Sequence, residues 1–159
     1  MNIPFSPPDL TGLEINEVVD ALKSGWITTG PRTKELEREV AKFCGTERAV
    51  CLNSQTACAE MALRLMGIGE GDEVITSAYT YTASASVIYH VGAKIVLVDI
   101  QEESLEMDYE QLENAITEKT KAIIPIDLGG VPCDYKRIYE IVERKKHLFI
   151  CTIVRLREK

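Results

Sequence analysis

The feature that most limits the fold of this chain is an alternation. Short apolar runs recur at Glu73–Thr76, Lys94–Asp99, Thr120–Ile126 and Leu148–Val154, and helix-like segments separate them. Ile95-Val96-Leu97-Val98 and Ala122-Ile123-Ile124-Pro125-Ile126 are apolar on both faces, which suits parallel strands covered on both sides. Pro125 lacks an N–H and belongs at a strand end or an edge. Ser77–Thr82 leads into one helical segment that runs to Val91, and Asp108 caps another that runs to Thr117. A third, Asp134–Arg144, turns Ile138, Ile141 and Val142 to one side. Strands alternating with helices of this length require βαβ units. The expected fold class is therefore α/β, a three-layer arrangement with a mostly parallel sheet and flanking helices. Ligands in such sheets bind beyond the carboxyl ends of the strands, where Asn53, Ser77, Asp99 and Asp127 are placed.

The stretch Arg48–Thr82 gives that edge its chemistry. A short apolar segment ends at Asn53 and reads as a strand. The polar turn Ser54-Gln55-Thr56-Ala57 follows, then a helical run to Met66. Asn53 or Ser54 suits the helix N-cap. A helix start lined by small residues can cradle a phosphate, because its free amides and its dipole point outward. An ordinary capped helix in an α/β layer accounts for the same residues.

Before this stretch, residues 1–12 are proline-rich and predict an extended arm. Leu13–Ser24 carries the helical stripe Ile15, Val18, Val19 and Leu22 and stops at Gly25. Thr33–Cys44 is a charged helix with Leu36, Val40 and Phe43 on one face. Between them lies the loop Trp26-Ile27-Thr28-Thr29-Gly30-Pro31. A tryptophan there serves either as a plug over the core or as the wall of a ligand pocket or subunit contact.

The net charge of −7 over 159 residues argues against nucleic acid or an anionic membrane as the main partner. No apolar run reaches membrane-spanning length, and the first residues lack a signal-peptide pattern, so a cytoplasmic location is expected. Five cysteines without a Cys-x-x-Cys pair predict neither a zinc site nor a disulfide framework. Cys51 and Cys58 read as small buried hydrophobes. His90 and His147 are far apart and read as surface or packing residues rather than metal ligands.

Three loops thus converge at one sheet edge. Ser54–Ala57 offers amides and hydroxyls, Tyr79 and Tyr81 offer flat rings, and Gly129-Gly130 permits close backbone approach. A phosphate site beside an aromatic cover fits pyridoxal phosphate.

The residues that carry this pattern also carry a resemblance. Gly25-Trp26-Ile27-Thr28-Thr29-Gly30-Pro31, Asn53-Ser54-Gln55-Thr56-Ala57, Gly71-Asp72-Glu73-Val74-Ile75, Tyr79-Thr80-Tyr81-Thr82-Ala83-Ser84 and Lys119-Thr120-Lys121-Ala122-Ile123-Ile124-Pro125 occur in order. A Gly-x-Pro-x-Asp loop within Asp127–Asp134 follows them. The chain resembles the first part of the DegT/DnrJ/EryC1/StrS sugar aminotransferases, from Ile3 to about His147. The resemblance implies part of the large domain of a fold type I pyridoxal-phosphate transferase, over residues 13–150. It implies that Thr56 and Ala57, with Ser54 and Gln55, hold the cofactor phosphate, and that Tyr81 stacks on the pyridine ring. It places Trp26, Thr28 and Thr29 by the substrate channel at a dimer interface, with a nucleotide-linked keto-sugar aminated from glutamate.

Two departures matter. Gln55 stands where a glycine or alanine is usual. The family's Schiff-base lysine and its Asp-Ala-Ala segment, whose aspartate binds the pyridine nitrogen, lie beyond this chain, and residues 151–159 form a tail unlike the family. The expectation is a truncated relative, inactive alone, with weak or absent pyridoxal-phosphate binding. A non-catalytic α/β phosphate-binding or assembly module is the alternative, and a half-protein completed by a second chain is a third. Self-association into a homo-oligomer is expected, through the Trp26 loop and the open side of the sheet.

Overall fold

The computed structural model describes residues 8–145, 149–150 and 153–154. The chain divides into two compact units, Met1–Cys51 and Leu52–Lys159. A boundary after Cys51 therefore crosses the domain expected over 13–150.

The first unit holds two helices, α1 (Gly12–Lys23) and α2 (Pro31–Cys44). Thr11 caps α1 in a capping box: its hydroxyl accepts the Leu13 amide at 3.1 Å, and Glu14 accepts the Thr11 amide at 2.6 Å. Pro31 opens α2, where its missing N–H costs nothing. An ion pair between Arg32 and Glu17 links the helices. Ala41 is the only buried residue among the described residues of this unit. The stripe expected on α1 exists but faces solvent, and on α2 Phe43 is 93% exposed.

The strand expected to end at Asn53 does not form. Residues 48–53 are irregular, and the Cys51 amide donates to the Glu37 carboxylate at 3.1 Å instead of to a neighbouring strand. A strand exists through its pairing. Among the described residues no strand lies beside this segment.

The second unit has the expected alternation. Its elements are α3 (Gln55–Leu65), β1 (Glu73–Ser77), α4 (Ala83–His90), β2 (Lys94–Val98), α5 (Tyr109–Ala115), β3 (Thr120–Ile124), β4 (Ile126–Asp127), α6 (Tyr135–Lys145), β5 (Phe149–Ile150) and β6 (Ile153–Val154). A parallel sheet runs in the order β2-β1-β3-β5, and β4 pairs with β6 in a second short parallel ribbon. Pro125 separates β3 from β4. Of the single strand expected over Leu148–Val154, Phe149–Ile150 joins the main sheet as β5 and Ile153–Val154 pairs with β4 as β6; Leu148, Cys151 and Thr152 lie outside the described residues.

Alternation along the strands builds two cores. Val74, Ala122, Ile124 and Ile126 face α3 and α4, where Leu63, Val87 and Ile88 are fully buried. Ile75, Val98 and Ile123 face α5 and α6, where Leu112, Ile138 and Ile141 are buried. The result is helix, sheet, helix. β3 is buried on both faces, as a central parallel strand should be. β2 is the edge strand, and its Leu97 is exposed.

The amino edge of the sheet is closed by Glu73, a buried residue. Its carboxylate accepts Lys94 Nζ at 2.8 Å and the Thr117 hydroxyl at 2.6 Å. These bonds, Lys94 first, hold the carboxyl below its usual value against the opposing effect of burial.

Candidate cofactor-binding site

The carboxyl edge is different. β1 and β3 are neighbours, yet the helix after β1 packs on one face of the sheet and α6, following β3 and β4, packs on the other. Connections that diverge in this way leave a crevice beyond the two strand ends, the usual ligand position in open parallel sheets. The loops flanking it are Ser77–Thr82 and Asp127–Asp134. Helix α3 packs beside α4 and leads through residues 66–72 into the start of β1, so its N-terminus lies at this same edge.

Ser54 caps α3 in extended conformation, with its hydroxyl accepting the Ala57 amide at 3.1 Å. Its carbonyl takes the Cys58 amide at 3.1 Å, as the first helical bond. Of the four predicted phosphate-turn residues, Ala57 has thus committed its N–H to the cap. Gln55 and Thr56 carry the amides at the open helix end, where the helix dipole favours an anion. Ser54 and Gln55 are exposed, while Thr56 and Ala57 are half-buried. Cys58, expected in the core, is exposed because the helix turns it outward, and Cys51 is half-buried.

The tyrosine turn is held against α4. Ser77, buried at the end of β1, accepts the Tyr79 amide at 3.2 Å. The Thr80 and Ser84 hydroxyls are 3.0 Å apart, and the Tyr81 carbonyl accepts the Ser84 amide at 3.0 Å. The helix expected after Thr82 accordingly starts at Ala83. Tyr81 is 75% exposed, and Tyr79 is exposed as well. The backbone is fixed and the rings are open to a ligand.

Across the crevice, the loop after β4 is anchored at both ends. Asp127, 5% exposed, accepts the Cys133 amide at 3.0 Å and the Tyr135 hydroxyl at 2.8 Å. The Tyr109 hydroxyl donates to Glu106 and accepts the Asp134 amide at 2.7 Å. Between the anchors, Gly129 and Gly130 take φ of 65° and 80°, a left-handed pair that side chains resist. Burial, then the charges of Asp127 and Glu106, pushes the Cys133 thiol up to about 11, so it stays protonated at neutral pH. Asp127 was legible as a strand-end residue. Its partners were not, because Cys133 and Tyr135 reach it by the folding back of the loop.

Trp26, Thr28 and Thr29 belong to the first unit. The Trp26 indole N–H donates to the Thr29 carbonyl at 3.1 Å. Its ring lies on Gly30, where a Cβ would come within 1.8 Å of the indole nitrogen. The ring is 57% exposed. Thr28 and Thr29 are exposed beside it.

Pyridoxal phosphate can be tested against these loops. The phosphate end fits, with two open amides at a serine-capped helix start, and an open ring stands on the neighbouring turn. The loops Ser54–Ala57, Ser77–Thr82 and Asp127–Pro132 carry no lysine. Among the described residues no cluster of histidine, cysteine or carboxylate side chains has the arrangement of a metal site. None of the helices among these residues is long and apolar enough to cross a membrane.

The architecture and the motif order have a match among known proteins. The profile of the DegT/DnrJ/EryC1/StrS aminotransferase family covers residues 8–151, and this chain belongs to that family. The spore coat polysaccharide biosynthesis protein SpsC of Bacillus subtilis is 43% identical over 141 residues, 89% of this chain and 36% of that protein. Spr1654 of Streptococcus pneumoniae, assigned as a sugar aminotransferase, matches in its pyridoxal-phosphate form with a TM-score of 0.89 and 61% identity. That match covers 94% of this chain and 38% of Spr1654. A GDP-4-keto-6-deoxymannose-3-dehydratase shares the fold at 25% identity, with a TM-score of 0.88, over 95% of this chain and 40% of its own. The chain spans somewhat more than a third of the length of these relatives.

Proposed function

We propose that this chain carries the phosphate-binding and ring-covering part of a sugar aminotransferase's pyridoxal-phosphate site. The observation behind this reading is the serine-capped start of α3, with the Gln55 and Thr56 amides open at the carboxyl edge of the sheet. Gln55, Thr56 and the Ser54 turn would bind the phosphate, with Thr56 also offering a hydroxyl, and Tyr81 would cover the pyridine ring. Pyridoxal phosphate, when bound, supplies the electron sink for amino-group transfer. The chain's own residues orient the cofactor at its phosphate and exclude water from one ring face. Amino transfer also needs a lysine at the cofactor's aldehyde, and none stands in the three loops. Residues 1–159 alone are therefore expected to bind pyridoxal phosphate weakly and to transfer no amino group. In the whole protein the substrate would be a nucleotide-linked keto-sugar, by likeness to the relatives.

Titration with pyridoxal phosphate, followed by the amide resonances of Gln55 and Thr56, tests the reading. Saturable shifts confined to the Ser54–Thr82 region support it. Unmoved resonances at millimolar cofactor sink the site. Turnover of glutamate with a nucleotide keto-sugar, or stoichiometric borohydride trapping on one lysine, contradicts the inactivity. Exposed apolar residues on α1 and α2, together with the exposed edge residue Leu97, support self-association through these surfaces. A clean monomer in light scattering at tens of micromolar would remove it.

A further inference from the structure

The reading above leaves a group of polar and charged side chains on α3 and α4 unused. Glu60 lies midway along α3, and Arg64 one turn further on. Arg64 donates to Glu60 Oε1 twice, from Nε at 3.0 Å and from a terminal nitrogen at 2.8 Å. The same terminal nitrogen donates to the His90 carbonyl at 3.2 Å, at the end of α4. His90 Nδ1 lies 3.0 Å from Glu60 Oε2. The bonds from Arg64, then from His90, keep Glu60 below the usual carboxylate range. An ionised carboxylate only accepts, so Nδ1 must carry the proton, and a neutral imidazole with Nδ1–H suffices. Both carboxylate oxygens, the guanidinium and one end-of-helix carbonyl of α4 are thereby joined in a single network.

The two helices joined here are the two that present the candidate site. The Ser54 turn is fixed to α3 by its cap and by the Cys58 amide. The Tyr79–Tyr81 turn is fixed to α4 by the Ser84 amide and hydroxyl. A rigid shift of either helix therefore carries its turn with it. His90 lies seven residues past Ala83, an arm of roughly 10 Å at 1.5 Å per residue, so a tilt of about 5° moves the far end by about 1 Å. Apolar packing between α3 and α4, through Ala59, Leu63, Val87 and Ile88, resists separation but permits sliding. Directional bonds at the far end suppress the slide.

We propose that Glu60, Arg64 and His90 form a clasp that sets the spacing between the phosphate turn and the tyrosine turn, which makes them positioning residues for the cofactor site. The proposal rests on the site reading given above, and its test separates the two.

Isotope-labelled chain is titrated with inorganic phosphate, following Gln55 and Thr56, and residual dipolar couplings report the angle between α3 and α4. His90→Ala removes the donor. His90→Asn returns an amide N–H near the Nδ1 position. Unchanged Ile123 and Ile124 resonances verify that each variant is folded. Support is a changed interhelical angle in His90→Ala, phosphate binding weaker by about threefold or more, and recovery of both in His90→Asn. An unchanged angle in His90→Ala overturns the clasp. A changed angle with wild-type phosphate affinity overturns its link to the site. If wild-type chain shows no phosphate shifts, the site reading fails, and the clasp stands or falls on the angle and its recovery alone.

Discussion

Helices α1 and α6 carry similar patterns and meet different fates. Each has apolar residues at helical spacing and charges on the rest of its surface. On α6, Ile138 and Ile141 are buried against the sheet. On α1, Ile15, Val18 and Leu22 are exposed, and no residue of the helix is buried. Periodicity reports that a segment can form a helix with an apolar face. It does not report what that face meets. In the Leu52–Lys159 unit the partner surface is the sheet, encoded in the same stretch of chain. In the Met1–Cys51 unit α1 and α2 offer each other little, and Ala41 alone is buried among the described residues.

The sharpest way to break this contrast is to delete apolar side chains in both units. Ile123 is fully buried between β1 and the α5–α6 layer. Ile123→Ala should cost about 2–5 kcal/mol in urea unfolding, the transfer loss plus the cavity. Phe43→Ala should stay within about 0.5 kcal/mol, since that ring is 93% exposed. A comparable loss at both positions would show that the apolar face of α2 is covered in solution.

Acid separates the units next. Glu73 is buried and its carboxyl is held low by Lys94 and then Thr117. A carboxyl lower in the folded than in the unfolded chain stabilises above its unfolded value. That contribution is lost as pH falls from the ordinary value of 4.5 through the lowered one. The Leu52–Lys159 unit should therefore weaken below this pH, and Glu73→Gln should flatten the dependence. Glu14 and Glu37 of the other unit are also held low, but there solvent screens the pairs and the slope should be smaller. An unchanged acid slope in Glu73→Gln would remove Glu73 as its source.

What the sequence revealed follows the same division. β1 and β3 were legible because parallel strands buried between helix layers read as continuous apolar runs; β2 carries a similar run, but it is an edge strand with only Val98 buried, so the expected cover on both faces is not met there. A cap at Asn53 or Ser54, a strand end or edge at Pro125 and a close backbone approach at Gly129-Gly130 were legible because one residue type does one local job. The segment ending at Asn53 misled because its apolar run has strand character but no strand partner among the described residues. Tyr81 and the Ser54 turn were found as motifs. The bonds that fix them were not, because Thr80 to Ser84 depends on where α4 begins, and Glu60 to His90 spans 30 residues. The Glu60–Arg64 spacing is a readable i, i+4 pair; its third member is visible only in three dimensions.

The smallest expected effect tests the contrast at the helix starts. Thr11 caps α1 and Ser54 caps α3, and each side chain accepts one amide of its first turn. Replacing either by alanine should cost about 1 kcal/mol locally. The consequences should nevertheless differ. α1 is 12 residues long, near the length at which isolated helices are marginal, and it has no buried face to hold it. Losing the Thr11 hydroxyl also removes its bond to the Glu14 carboxylate, which keeps only the residue-11 amide. Thr11→Ala should therefore fray the first turn of α1, seen as faster amide exchange at Leu13–Asn16 and a small loss of helical signal. α3 is pinned by Ala59 and Leu63 in the core. Ser54→Ala should lower the unfolding free energy of its unit while leaving exchange protection from Ala59 onward intact. It should also release the Ala57 amide, so that three open amides rather than two face an added phosphate. Equal fraying of both helices would mean that burial does not hold α3 in place, and the distinction between the two units would then fail at its simplest point.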